Sequence, residues 1–244
     1  VVTFSSSSNA TVTNNTIVDD GDAQNVGNGG TGLDVSNGFA TVAANDIQGF
    51  QTQIAATASA NVTALVADNE FEGNANAQAA VPVNDTGVVQ SAAVFGSIEE
   101  ADTAADAGET IEVYSGTYEH NNNIDIATDD VSLAAVDGTP VVPNEIDLNA
   151  GGDVSVDGFN LNGNNLDTDE SPSAISVTDT ELGSGNFNLD GVGTVNLSET
   201  AGDQYNLGSN TPVTDVTVSD ADGNAFDVEA AANVTLTQVT ATPT

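Results

Sequence analysis

The sequence predicts an all-β solenoid, and three observations predict it. Helical periodicity is nearly absent, while short β-branched runs bounded by Gly, Asn, Asp and Ser recur from one end of the chain to the other. Apolar strand starts at Val154, Ile175, Val195, Val216 and Val234 are separated by 21, 20, 21 and 18 residues. Over residues 1–80 a V-x-x-N-x-[IF] pattern occurs three times, at Val12–Ile17, Val42–Ile47 and Val66–Phe71.

A steady period near 20 with one supersecondary unit per repeat marks stacked coils, whereas propeller blades need about twice that length. Second apolar runs at Phe187-Asn188-Leu189, Tyr205-Asn206-Leu207 and Phe226-Asp227-Val228 put at least two strands in each period. In the amino-terminal part, Asn15, Asn45 and Asn69 occupy one fixed place per coil. Their amides are expected to form a hydrogen-bonded ladder beside a left-handed turn that Asn tolerates. The interval from Asn15 to Asn45 is long because Asp19–Gly32 inserts a Gly-rich loop, which should project from one face. Division by the period gives about eleven coils at roughly 4.8 Å each.

Residues 97–108 (SIEEADTAADAG) carry the one convincing helix. Ser97 with Glu100 forms a capping box, Ile98, Ala101 and Ala105 share a face, and Gly108 supplies a stop. Such a short amphipathic helix, near 97–107, suits the end of a solenoid. The stretch that follows, with Gly108, Thr110, Ile111, Val113, Gly116 and Tyr118, completes an I-x-x-A…G-x-T-I-x-V-x-x-G-x-Y pattern together with Ile98 and Ala101. This resembles the cap helix and first coil of the right-handed parallel β-helix superfamily, the pectin-lyase-like group that includes NosD-type surface proteins. The resemblance implies a right-handed parallel β-helix and says almost nothing about activity.

The order of the parts is unusual, since the cap sits near residue 97 while residues 1–80 already read as coils. Residues 81–96 read as a linker, and 97–244 as cap helix and further coils. Leu33-Asp34-Val35 followed by Phe39-Ala40-Thr41-Val42 matches Phe226-Asp227-Val228 followed by Asn233-Val234-Thr235-Leu236. The chain thus reads as a circularly permuted β-helix unit: residues 1–80 are the carboxy-terminal part of one unit and 97–244 the amino-terminal part of the next. Copies of itself, head to tail, are the expected partner, either as tandem repeats or as subunits, because such contacts do not close.

Composition narrows function further. The 244 residues contain no Lys, no Arg, one His and 37 acidic residues, for a net charge of −37. A typical chain of this length carries roughly 30 basic residues. Without cations the chain has no means of gripping phosphate, so nucleic acid and direct anionic-membrane binding are excluded, as are Schiff-base and P-loop chemistries. Absence of Cys removes disulfides and thiolate chemistry. The sequence also lacks Met, which reads as a segment of a longer or processed chain. At 39% hydrophobic it can bury a core, so the acids are a surface property. Their mutual repulsion calls for salt or bound cations. A base-free acidic surface of this kind resembles exported proteins of halophilic archaea, which implies an extracellular or cell-surface location.

Candidate chemistry is sparse. Elimination-type polysaccharide cleavage commonly uses an Arg base, and none is present. Where related hydrolases carry N-T-D, this chain has Asn15-Thr16-Ile17, and Asp19-Asp20 and Asp129-Asp130 are isolated pairs. His120 reads as a surface turn residue. Asp220, Asp222 and Asn224 have the alternation of a cation loop, although Ala231 stands where a complete EF-hand has Glu. Asp19, Asp20 and Asp22 form a second oxygen cluster, and Asp167, Asp169 and Glu170 a third; calcium is the cation they would take. Sequons at Asn9, Asn14, Asn61, Asn84, Asn196 and Asn233 are candidate glycosylation sites. The expectation is an extracellular structural or adhesive filament segment, without catalytic residues or an organic cofactor, contacting cations and cell-surface glycan. The alternative is a carbohydrate-binding or carbohydrate-cleaving β-helix, such as a viral tail spike or secreted glycoside hydrolase. It would need two carboxyls about 5–10 Å apart in a groove and aromatic platforms, which 5% aromatics and no Trp disfavour.

Overall fold

The computed structural model describes residues 2–3, 10–18, 30–35, 40–48, 50, 52–55, 65, 68–71, 80–83, 93–95, 97–118, 122–168, 172–208 and 210–242. The chain is all-β: strands in stacked parallel sheets form a β-solenoid of about eight turns, and the described residues include a short helix at Ile98–Ala104. The largest sheet has twelve strands in the order β1 (Val2–Thr3), β4 (Thr31–Asp34), β7 (Thr52–Ala55), β9 (Ala93–Phe95), β8 (Ala80–Val83), β10 (Thr110–Tyr114), β12 (Ser132–Asp137), β14 (Asp153–Asp157), β16 (Ala174–Thr178), β18 (Thr194–Ser198), β20 (Val213–Ser219) and β23 (Ala230–Thr237). A second sheet stacks β11 (Ile124–Ile126), β13 (Ile146–Leu148), β15 (Leu166–Asp167), β17 (Phe187–Leu189), β19 (Gln204–Leu207) and β22 (Ala225–Val228). Three two-stranded ladders complete the coils: β2 (Ala10–Thr13) with β5 (Ala40–Ala43), β3 (Thr16–Val18) with β6 (Asp46–Gln48), and β21 (Asp222–Gly223) with β24 (Thr240–Ala241).

The predicted strand starts form one column: Val154, Ile175, Val195, Val216 and Val234 are successive parallel partners. A neighbouring column of Val156, Val177, Leu197 and Val218 is buried, while Ser155, Ser176, Asn196 and Thr217 lie between the two columns in register with one another. This follows from the two-residue period of a strand, which sends alternate side chains to opposite faces. In the second sheet Leu166, Phe187, Tyr205 and Phe226 stack inward. The Phe187 and Tyr205 rings are 4.7 Å apart and those of Tyr205 and Phe226 4.3 Å. Each fully buried side chain of this size contributes about 1.5–3 kcal/mol, so the columns dominate the coils' cohesion. The Tyr205 phenol donates to Thr200 Oγ1 and the Asp222 carbonyl, and burial pushes it up to about 12.

One corner is left-handed in successive coils. Asp179, Glu199, Asp220 and Gln238 follow successive strands of the large sheet with φ of 48, 52, 50 and 54°. In the preceding coil Gly158 (φ 85°) takes this place, where a Cβ would also lie 2.8 Å from that of Ala135. Asn14 and Ala44 hold the corresponding turn in the amino-terminal coils at φ 58 and 56°.

The helix, α1 (Ile98–Ala104), begins as the capping box predicts: the Ser97 side chain accepts from the Glu100 N–H at 3.2 Å. It ends before Gly108. Ala105 is already extended, the Asp106 N–H is held by Glu109 Oε2 at 2.8 Å, and Gly108 (φ 85°) sits just before β10. Ile98 and Ala101 are buried against the coils. Asp102 Oδ2 accepts from the Ala127 N–H at 3.0 Å, and Thr128 Oγ1 donates to the Asp102 carbonyl, pinning the helix beside β11.

Within residues 81–96, the described part extends the large sheet. Strands β7 and β9, β9 and β8, and β8 and β10 each pair antiparallel, so the coils before and after this segment run in opposite strand directions. The core changes face as well. Val94 packs in the amino-terminal cluster and its neighbour Phe95 in the carboxy-terminal one, while Tyr114 of β10 reaches back to the first cluster. Strand direction and core face therefore reverse together across this segment. Spending this segment on antiparallel strands is one reason the turns number about eight and not eleven.

Asp102 is buried, and its Oδ1 has no hydrogen-bond partner. Burial, with the nearby Asp125 charge as a minor contributor, raises its pKa despite the bonds from Ala127 and Thr128. A raised folded-state pKa means that stability is lost as pH rises from the ordinary value of 3.8 through the folded one. Asp102→Asn is therefore expected to gain about 1 kcal/mol at neutral pH and lose that advantage below pH ~4, measured as urea midpoints of both proteins.

Candidate functional site

The outward face of the second sheet carries a column of acids and amides. Asp125, Asp147, Asp167, Asn188, Asn206 and Asp227 are successive register partners, one per coil. Inward residues on either side force this placement, since Ile124 and Ile126 are buried and Asp125 between them must face out. Like charges directly opposite one another destabilise a sheet, and amides relieve part of the conflict. Asn188 Nδ2 donates to Asp167 Oδ1 at 2.6 Å, Asn206 Nδ2 to Asn188 Oδ1 at 2.7 Å and Asn149 Nδ2 to Asp125 Oδ1 at 2.8 Å.

Alongside, Glu145 adds a carboxylate to the same face. It accepts from Asn123 Nδ2 at 2.5 Å and Asn165 Nδ2 at 3.0 Å. One carboxylate oxygen from each of Glu145, Asp147 and Asp167 lies within 4.8 Å of the others. Oxygens bound to a calcium ion at 2.3–2.6 Å lie at most about 5 Å apart, so the spacing fits one hard cation. Asp167 thus joins acids of earlier coils; Asp169 and Glu170 lie outside the described residues.

A second acidic column occupies the left-handed corner. Glu199 lies beside Asp179, whose hydrogen bond and charge raise its pKa, with a further contribution from the Asp220 charge. Asp220 therefore belongs to this column as well as to the local loop, and its Oδ1 accepts from Gln238 Nε2 of the next coil. Asn224 Nδ2 donates to Asp203 Oδ1 of the coil before, while Asp222 lies in β21 with its carbonyl accepting from Gly202 and Tyr205. Asp19, Asp20, Asp22 and His120 lie outside the described residues.

The amino-terminal coils solve the same stacking problem with neutral groups. Asn15 Nδ2 donates to Asn45 Oδ1 and Asn45 Nδ2 to Asn69 Oδ1, each at 2.9 Å. Each Oδ1 also accepts the backbone N–H of the Asn one coil earlier, at 3.1 Å. This is the amide ladder that the V-x-x-N-x-[IF] pattern predicts. It borders a groove of about 390 Å³ whose lining includes Asp46, Asp68 and Glu70 and, among the described residues, no aromatic side chain.

Of the sequons, Asn14 stands exposed at a left-handed corner and Asn196 exposed on β18. Asn233 is exposed on β23 with Nδ2 donating to Asp215 Oδ1 at 2.7 Å. Asn9, Asn61 and Asn84 lie outside the described residues. No helix among the described residues is long and apolar enough to cross a membrane. Comparison with family models, with curated proteins and with solved structures returned no match.

The corner column makes a direct prediction. Because the Glu199 pKa is raised, its contribution to stability falls as pH climbs above the ordinary 4.5. Glu199→Gln should raise the urea midpoint at pH 7 in low salt, and the difference should shrink both below pH ~4 and in about 1 M salt, where the screening length is only ~3 Å.

Proposed function

We propose that this chain is a structural segment of an extracellular, acidic filament that grows by head-to-tail stacking of β-solenoid coils. The observation that carries the reading is the fate of the core columns. Val216 and Val218 are buried in the interior, yet their partners one coil later, Val234 and Leu236, are 48% and 49% exposed. At the other end Val2 is 39% exposed, although its partner Leu33 is fully buried. An apolar cross-section with free strand edges is a template for further stacking. Residues on the sides of the solenoid carry the acids, as Asp125 on the outward face of β11 does.

The surface reading follows from charge. A net charge of −37 on stacked copies demands screening, which a saline exterior supplies, and the exposed sequons at Asn14, Asn196 and Asn233 would present glycan outward. Calcium at Glu145, Asp147 and Asp167 would neutralise the densest part of the face. A second reading, a carbohydrate-binding or carbohydrate-cleaving β-helix, draws on the groove lined by Asp46, Asp68 and Glu70. Among its described lining residues none is an aromatic platform for a sugar ring, and the chain as a whole is 5% aromatic with no Trp, which favours the structural reading.

Electron microscopy of the chain in high salt tests this proposal. Twelve strands of one sheet at ~4.8 Å give an axial repeat of roughly 58 Å, and fibres with that repeat are expected. Discrete particles at every salt and protein concentration would refute it and favour the carbohydrate reading. Calcium is tested separately by thermal unfolding: at ten times its Kd the ion should add about 1.4 kcal/mol, a Tm rise of roughly 3–6 °C. Asp147→Asn should abolish that rise, and an equal response to magnesium in both proteins would count against a defined site.

A further inference from the structure

The first and last described coils are the same coil. Val2 and Phe226, Val12 and Leu236, Asn14 and Gln238, and Thr16 and Thr240 all stand 224 positions apart. The offset holds across three strands and a corner: β1 corresponds to β22, β2 to β23 and β3 to β24. Asn14 and Gln238 hold the same left-handed turn, at φ 58 and 54°. Asn9-Ala10-Thr11-Val12-Thr13-Asn14 and Asn233-Val234-Thr235-Leu236-Thr237-Gln238 alternate identically. Each of these strands is the last in its ladder, with a partner on one side only among the described residues.

We infer that a second copy of this chain docks its 2–18 coil on the 225–241 coil of the first, parallel and in register, with Leu236 against Val12 and Thr235 against Thr11. The inference rests on the stacking reading above and specifies its interface. Both faces present core-column side chains: Phe226, Val228, Val234 and Leu236 on one, Val2, Val12 and Ile17 on the other. Stacking them continues the columns that are buried everywhere else.

The asparagine ladder gives the register atom by atom. Asn45 Nδ2 reaches three acceptors: Val12 O of the preceding coil, Ala43 O of its own coil, and Asn69 Oδ1 of the next. Asn69 likewise reaches back to Val42 O. Asn15 makes the second and third of these contacts, to Thr13 O and Asn45 Oδ1, and among the described residues no coil before it supplies the first. With the 224-residue offset, the acceptor in that place is Leu236 O of the neighbouring copy. The Val239 N–H correspondingly meets Asn15 Oδ1, as the Asn15 N–H meets Asn45 Oδ1. Charge is compatible in salt: the described residues of the 2–18 coil carry no acid, whereas the 225–241 coil carries Asp227 and Glu229.

Because the chain has no cysteine, engineered pairs report the register cleanly. In parallel partners the Cα atoms are close enough for a disulfide, and a two-residue offset places them beyond about 7 Å. In high salt under mild oxidation, Thr11→Cys with Thr235→Cys should give covalent multimers at least tenfold faster than Thr13→Cys with Thr235→Cys. Leu236→Asp, at a position already exposed in the single chain, should abolish multimers while leaving the circular dichroism spectrum unchanged. If unmodified chains form fibres but the two cysteine pairs cross-link equally, or Leu236→Asp assembles normally, this interface is wrong and the filament reading survives. If unmodified chains never associate, the filament reading fails and the interface with it.

Discussion

Like stacks on like in this protein, because parallel coils in register set each side chain against its counterpart one turn away. That single constraint decides which residues stabilise the fold and which endanger it. An apolar column gains from repetition, as the buried run Val154, Ile175, Val195 and Val216 shows. An acidic column suffers from it, since Asp125, Asp147 and Asp167 meet charge to charge. With no Lys or Arg in the chain, no salt bridge from those residues can relieve such a column.

The chain manages the conflict with neutral donors. Asn188 and Asn206 continue the acidic column of the second sheet and donate along it. Asn210 and Asn233 each donate to a carboxylate one coil away. In the amino-terminal coils the amide ladder runs beside the corner, where Asn14 and Ala44 stand in place of acids in the first two coils. Even Glu145, Asp147, Asp167 and Asp220, where the acids crowd most, each accept from an amide of their own or a neighbouring coil. The acidic exterior and the amide-rich sequence are therefore two sides of one electrostatic problem.

The antiparallel segment between the two stacks has a different meaning. Placing Val94 and Phe95 in separate cores makes β9 a shared wall, and α1 covers the coil beside it. A solenoid normally needs plugs because each coil's edge invites pairing. Here the interior joint is closed by strands of opposite direction and by a helix, whereas the described terminal coils keep compatible edges.

Much of this was legible in the sequence because strand alternation and corner chemistry are local. The 20-residue period, the stacking Asn15, Asn45 and Asn69, and the Ser97 cap all follow from neighbours a few positions away. The helix end was not, because its limit depends on Asp102 and Glu109 finding partners beyond the helical pattern. Nor could the sequence show which acids meet: Asp147 and Asp167 are 20 residues apart and Asp125 and Asp147 22, so no constant period brings them together. Register between coils is set by the lengths of the corners, and only the folded coils reveal how those differences are absorbed. For the same reason, the sequence by itself determined that the chain forms apolar columns within an acidic shell. The tertiary structure alone decided the reversal at β9 and the placement of the two cores on opposite faces, since strand direction is a property of pairing and not of composition.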